Sequence, residues 1–210
     1  MLDLIRSESQ FFIFSLTTVF TLINPLGIAP LLVIMTKRFS KKERIRIAKK
    51  GSLTAFYTLI IFSILGSVIF KFFGITLEAF QIMGGILFFR NGLRMLEAKV
   101  GRSRTTPAEQ EESFESEDIA ISPIGIPLIA GPGAITAVML LSSQTPQIYS
   151  YATVVLSLFL VLLLVYFILR NGDIVIRVLG TTGMRIIQRL MGLILLVIAV
   201  QFIINGSVSV

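Results

Sequence analysis

The sequence predicts an all-α integral membrane protein with six transmembrane helices, arranged as two inverted three-helix repeats in which spans 1 and 4 are interrupted. Of the 210 residues, 54% are hydrophobic and only 15% are charged, whereas soluble domains carry about 25% charged residues. Apolar runs of about 20 residues, the length that crosses a bilayer, can be drawn six times along the chain. Proline and glycine interrupt two of these runs at corresponding places in the two halves of the sequence.

The six predicted spans divide into two groups of three. They cover roughly residues 11–36, 52–70, 75–95, 119–143, 150–170 and 184–206. The domain organisation that follows is a first repeat over 1–98, a cytoplasmic linker over 99–118 and a second repeat over 119–210. The linker is rich in charge and poor in apolar residues, so we expect it to be disordered.

The basic residues predict the orientation of the chain. All of the 19 Lys and Arg residues except Arg6 and Lys71 fall on one side of the six predicted spans. The positive-inside rule places that side in the cytoplasm and both termini on the outer side. Spans 1 and 4 then cross the membrane in opposite directions, which is the arrangement of an inverted repeat and is common among secondary transporters.

The first interruption is the stretch 24–30, with the sequence NPLGIAP, in the middle of span 1. Pro25 and Pro30 each remove a backbone donor, and Gly27 is expected to loosen the turn between them. The second interruption is the stretch 130–134, AGPGA, in span 4. Freed backbone groups in hydrocarbon must find partners, so we expect both breaks to be buried in protein or to line a polar cavity.

The two breaks together predict a binding site for a small zwitterion. The N-terminus of a half-helix offers unpaired amides and a partial positive charge to a carboxylate, and freed carbonyls can accept from an ammonium group. The candidate site residues are Asn24, Pro25, Gly27, Gly131, Pro132, Gly133 and Thr136. Thr18 and Thr21 precede the first break, but bonding to their own helix backbone is their expected role. Pro123 and Pro127 are expected to kink span 4.

Several functions are excluded or disfavoured by what the sequence lacks. There is no Cys and no His, which excludes disulfides, thiol nucleophiles and imidazole chemistry. No phosphate-binding loop, nucleophile elbow or metal-ligand motif is present. We therefore expect a protein that is not an enzyme and binds no cofactor. The net charge of +7 is explained by the placement of basic residues beside membrane spans rather than by binding of nucleic acid.

Transport by such a protein could be coupled either to protons or to Na⁺, and the sequence does not decide between the two ions.

The breaks, together with the closing stretches 189–192 (RLMG) and 201–206 (QFIING), resemble the MarC family. The resemblance covers the whole chain. It implies an inner-membrane protein that moves small neutral amino acids such as glycine and alanine, with serine as a further candidate. Its partners would be that substrate and membrane lipids, and it would act as a monomer or small homo-oligomer. The alternatives are an exporter of amino acids or drugs, and an ion channel, which would need more polar rings than these spans offer.

The predicted orientation can be tested directly because the chain has no native cysteine. A cysteine placed at Lys42 should react with membrane-impermeant thiol reagents only from the cytoplasmic side. A cysteine at Thr145 and a tag at Val210 should be reached only from outside. Labelling of the Lys42 site from outside would contradict both the orientation and the inversion of the repeats.

Overall fold

The structure is a computed structural model and describes residues 2–97, 116–143 and 148–208. All regular structure in these ranges is helical. The helices are α1 (Leu2–Ile23), α2 (Pro25–Met35), α3 (Lys41–Phe73), α4 (Leu77–Leu96), α5 (Ser116–Ile119), α6 (Pro132–Ser143), α7 (Ile148–Arg170) and α8 (Gly172–Val208). An irregular helical stretch, Ala120–Ile129, joins α5 to α6 and is called the cis-proline segment below.

Four stretches in the described part of the chain are long and apolar enough to cross a membrane. They are Glu8–Met35, Lys41–Gly66, Tyr151–Arg170 and Thr182–Val208, and the cis-proline segment with α6 forms a fifth if this pair, bent by 60°, is one span. These stretches match predicted spans 1, 2, 5, 6 and 4. The predicted span 3 corresponds to α4, which is a helix of 20 residues but is not among the sufficiently apolar stretches. The count of six spans therefore stays a prediction.

The predicted linker falls largely outside the described residues, since 98–115 are not among them. Its last three residues, 116–118, belong to α5. The predicted disorder of the remainder, and the boundary of the first repeat at 98, therefore stay predictions.

Glycines allow α4 and α8 to pack closely in antiparallel directions. A Cβ added at Gly85 would lie 2.8 Å from the Ala199 carbonyl oxygen, and one at Gly92 would lie 3.0 Å from the Gly192 carbonyl oxygen. Residue numbers thus rise along α4 as they fall along α8. The absence of side chains at these positions is what lets the two backbones approach.

Helix α6 is the central element of the bundle. Every residue from Gly133 to Leu141 except Ile135 is buried, as expected for a helix that is apolar all round. It packs against α1, α3 and α4. Ala134 and Val138 belong to a core shared with α1, α3 and α7, whereas Ala137 and Leu140 belong to a second core shared with α4 and α8.

The connection between α2 and α3 is held by one arginine. The Arg44 Nε donates to the carbonyl oxygens of Thr36 (3.0 Å) and Phe39 (3.2 Å), and its Nη2 donates to the Lys37 carbonyl oxygen at 3.2 Å. Its Nη1 lies 3.3 Å from the Asp173 carboxylate at the start of α8. The guanidinium therefore binds three carbonyls of the turn where α2 ends, and it links that end to the second half of the chain.

The close packing of α4 and α8 predicts the effect of a small substitution. A Cβ at Gly192 would lie 2.8 Å from the Leu96 backbone nitrogen, so Gly192→Ala must push the helices apart. We expect it to lower the free energy of unfolding by about 1–3 kcal/mol, measured in detergent by circular dichroism.

Gly183→Ala is the control for this substitution, because its Cβ would make an ordinary contact of 3.4 Å with the Leu179 Cβ. Equal stability of the two variants would show that the helices are not held at this distance.

Candidate functional site

The first break is a single residue in a left-handed conformation. Asn24, with φ 51° and ψ 61°, separates α1 from α2, and Pro25 is the first residue of α2. The Asn24 Oδ1 accepts from the Gly27 amide at 3.2 Å. Asparagine tolerates this conformation and is a favoured helix cap, and proline suits the first helical position because the N–H there has no helical partner.

This geometry corrects the role expected for Gly27. The sequence suggested that Gly27 would loosen the turn, but the one left-handed residue in the stretch 24–30 is Asn24. Gly27 is needed for space instead, because the three atoms nearest to a Cβ added there all belong to the Asn24 side chain, with Cγ at 2.9 Å.

The first break frees backbone carbonyls of α1. Pro25 has no N–H to donate to Thr21. The Gly27 amide, which would serve Ile23 in an unbroken helix, turns to the Asn24 carbonyl oxygen at 2.9 Å instead. Within the described part of the chain, the carbonyls of Thr21 and Ile23 thus lose the donors that a continuous helix would supply.

The second break is longer and more sharply bent. Ser122 and Ile126 have extended backbone angles and precede Pro123 and Pro127, and both of these X–Pro bonds are cis. Proline disfavours helical geometry in the residue before it. The prediction that these prolines kink span 4 is therefore confirmed.

Helix α6 begins immediately after this break, at Pro132. The Gly131 carbonyl oxygen accepts from the Ile135 amide at 3.0 Å. No hydrogen bond from the Gly133 or Ala134 amide is found among the residues that the structure describes. These are first-turn amides, which have no partner inside their own helix.

The two breaks approach each other at Gly133. A Cβ added there would lie 3.2 Å from the Leu22 Cδ2, on the last turn of α1, and 3.1 Å from the Asn91 Nδ2 on α4. Three elements therefore converge on the first turn of α6: the end of α1, the half-helix itself and α4. One turn further along α6, the Thr136 methyl lies 3.1 Å from a Cβ added at Gly84, also on α4.

The predicted site residues differ in their exposure. Pro25, Gly133 and Thr136 are buried, and Asn24, Gly27 and Gly131 are half-buried, but Pro132 is exposed. The structure brings Gly133 and Thr136 against α4 and places Gly133 beside the last turn of α1. The role of all seven residues in binding stays a prediction.

Asn91 is not among the candidate site residues of the sequence analysis. The neighbouring arginines, Arg90 and Arg94, are exposed, whereas Asn91 is half-buried. Asn91 lies seven residues after Gly84, and positions with this spacing share a helix face. The signal was therefore the alignment of Asn91 with the small residues of α4 rather than its neighbours in sequence.

The fold and these breaks define a class: an integral membrane protein with several apolar helices, at least two of which are interrupted inside the bundle. Comparison with known sequences is consistent with this class. Residues 9–210 match the pattern of the MarC family integral membrane proteins, and the chain belongs to that family.

Its relatives are described only as membrane proteins. The chain is 40% identical to a UPF0056 membrane protein of Methanocaldococcus jannaschii, over 95% of this chain and 97% of that one. It is 36% identical to a UPF0056 membrane protein of Bacillus subtilis, over 92% of each chain. An Escherichia coli UPF0056 membrane protein is 32% identical, over 89% of this chain and 87% of the other. No solved structure matches the chain.

The left-handed cap at the first break predicts a contrast between two substitutions of Asn24. Asn24→Ala loses the side-chain cap and strains the backbone, so we expect a loss of about 2 kcal/mol in the free energy of unfolding. Asn24→Gly keeps the left-handed geometry without strain and should cost less than half as much. Chemical or thermal unfolding in detergent measures both, and equal losses would contradict the strained geometry.

Proposed function

We propose that the chain is a secondary transporter that moves small neutral amino acids, glycine and alanine first and serine as a further candidate, across the inner membrane. The observation that carries this proposal is the approach of the first turn of α6 to the last turn of α1. Unpaired amides of one half-helix then lie near the carbonyls freed at the other break. A zwitterion presents the opposite charges to these two sets of groups.

The substrate carboxylate would bind at the N-termini of the half-helices. Neither α2 nor α6 contains a basic residue, so the available positive potential is that of the amides and the helix dipole. The free Gly133 and Ala134 amides of α6 supply donors, and the Asn91 Nδ2 beside Gly133 can supply another. The substrate ammonium would bind the carbonyls of Thr21 and Ile23.

The size of the substrate follows from the same contacts. A single methyl group added at Gly133 would lie 3.2 Å from Leu22 and 3.1 Å from Asn91, which is closer than side chains normally pack. A substrate held against the Gly133 backbone must therefore be small, which favours glycine and alanine over leucine.

Alternating access would come from movement of one repeat against the other. Two features support the repeat. Pro25 and Pro132 each begin a short half-helix after a break, of 11 and 12 residues. The corresponding third helices, α4 and the second part of α8, are antiparallel, as inverted equivalents must be. In this proposal both termini face outward, and a proton or sodium gradient drives transport without a cofactor or covalent step.

The proposal is tested by uptake of labelled glycine into liposomes that contain only this protein. Sodium and pH gradients are imposed separately, so that the gradient that accelerates uptake identifies the coupling ion. We expect saturable uptake that excess alanine inhibits. Leucine and glycine methyl ester, which lacks the anion, should inhibit poorly. An absence of glycine uptake under every gradient, in liposomes whose protein is folded, would contradict the proposal.

Substitution of Gly133 tests the site itself. The added methyl group of Gly133→Ala requires shifts of only a few tenths of an ångström in two side chains, so the variant should fold. It should nevertheless weaken glycine binding at least tenfold, about 1.4 kcal/mol, because it crowds the amides that hold the carboxylate. Equilibrium binding of labelled glycine measures this.

Gly183→Ala, on α8, is the matched glycine-to-alanine control and should bind glycine normally. Unchanged affinity in Gly133→Ala would place the substrate elsewhere.

A further inference from the structure

A row of buried hydroxyl groups leads along α1 to the first break. Ser15, Thr18 and Thr21 follow one another at three-residue intervals and are 0%, 0% and 1% exposed. The hydroxyl oxygen of each has no hydrogen-bond partner in the part of the chain that the structure describes. At 1.5 Å per residue, the row extends about 9 Å along the helix and ends one turn before Pro25.

Of the other hydroxyls in this bundle, that of Ser52 on α3 also has no partner among the described residues, but several are satisfied in the way expected for membrane helices. Those of Thr36, Thr58 and Ser143 donate to the carbonyl four residues earlier, at 2.6, 2.8 and 2.7 Å. This bond was the expected role of Thr18 and Thr21 too. The row on α1 does not use it, although an unsatisfied buried hydroxyl lowers stability. The hydroxyls of this row are therefore available to a partner outside the protein.

The neighbours of Thr18 show which way the row faces. Phe14 and Leu22 lie four residues before and after it, on the same helix face. The Phe14 ring packs against Phe202 of α8, with ring centroids 5.9 Å apart, and Leu22 lies beside Gly133 of α6. Thr18 thus lies on the side of α1 that packs against α6 and α8, the same side on which the two breaks approach each other.

The chemistry of the row fits water better than a cation. A hydroxyl group both donates and accepts, and water can satisfy both capacities, whereas a cation leaves every donor unpaired. The sequence has no carboxylate between Glu8 and Glu43 to balance a bound positive charge. Water and the polar ends of a passing zwitterion are the partners that three neutral hydroxyls recognise.

We propose that Ser15, Thr18 and Thr21 line the outer half of the substrate route and become hydrated when that route opens. The inference rests on the proposed transport function and on the predicted orientation, in which the Ser15 end of the row lies towards the outer surface. The near-zero exposure of all three residues identifies the present structure as a state in which this route is closed. Opening it requires α1 to separate from α6 and α8.

The first test separates a transport role from a structural one. Thr18→Val keeps the shape of the side chain and removes the unpaired hydroxyl, so it should leave Tm unchanged or raise it. We expect it to lower the rate of glycine uptake into liposomes at least fivefold, whereas Thr18→Ser should keep at least half of the wild-type rate. The control is Thr58→Val, whose hydroxyl bonds to its own helix, and it should transport normally.

Glycine uptake by Thr18→Val within twofold of the wild-type rate would overturn the role of this hydroxyl in transport.

The second test measures access from water and does not depend on the uptake rate. Single cysteines at Ser15, Thr18 and Thr21 are introduced into the naturally cysteine-free chain and treated from outside with a membrane-impermeant methanethiosulfonate reagent. Ile13→Cys is the control. Ile13 lies on the same helix, two residues from Ser15, but it is 63% exposed on the apolar, lipid-facing side of the bundle. A thiol there faces lipid, where it is not ionised and reacts slowly.

We expect each of the three cysteines to react at least tenfold faster than the Ile13 control, and saturating glycine to slow the reaction at Thr21. Three cysteines as unreactive as the control, in a preparation that transports glycine, would overturn the proposed route. If the wild-type protein transports no glycine but the cysteines react, the proposed function fails and the water-accessible route stands.

Discussion

The structure depends on two proline nitrogens that cannot donate a hydrogen bond. Pro25 and Pro132 each occupy the first position of a half-helix, where the missing N–H costs nothing to the helix that begins there. The cost falls on the preceding backbone, whose carbonyls lose a donor in surroundings where water is scarce. Polar partners are therefore needed around these two positions. This is where α1, α4 and α6 converge on Gly133.

The two breaks meet this constraint in different ways. The first needs one residue, since the left-handed Asn24 turns the chain and caps the next helix, and α1 and α2 together still form one apolar stretch. The second uses the ten residues of the cis-proline segment and bends by 60°. The two halves of the sequence therefore correspond in where the half-helices begin. They differ in how each break is built.

The sequence was sufficient for features that depend on local chemistry. Apolar run length located five candidate spans, although the stretch that corresponds to span 2 begins 11 residues before the predicted start, and proline located both breaks. The sequence analysis did not predict which residue would be left-handed. It assigned the loosening of the turn to Gly27, although asparagine and glycine both adopt the left-handed conformation. The predicted third span is less apolar than the others, since α4 carries Gln81, Arg90 and Arg94, so its length and composition alone do not establish it as a membrane span.

Tertiary contacts account for what the sequence did not predict. Asn91 is placed at the candidate site by the helix face that it shares with Gly84, and this is visible only once α4 is packed against α6. Thr18, Thr21 and Thr58 are all threonines inside helices, yet of the three only the Thr58 hydroxyl donates to its own helix backbone. A helical threonine has more than one favoured rotamer, so its residue type does not decide whether its hydroxyl bonds to the helix backbone.

Arg44 has a mechanical consequence. From its position on α3, Arg44 donates to three carbonyls of the turn after α2. These charge-assisted hydrogen bonds restrain the five-residue connection between the two helices. These bonds oppose bending between α2 and α3, so we expect any change in the angle of α2 to occur at its other end, where the single residue Asn24 joins it to α1. In such a change α2 and α3 would move together relative to α1, about a point beside the candidate site.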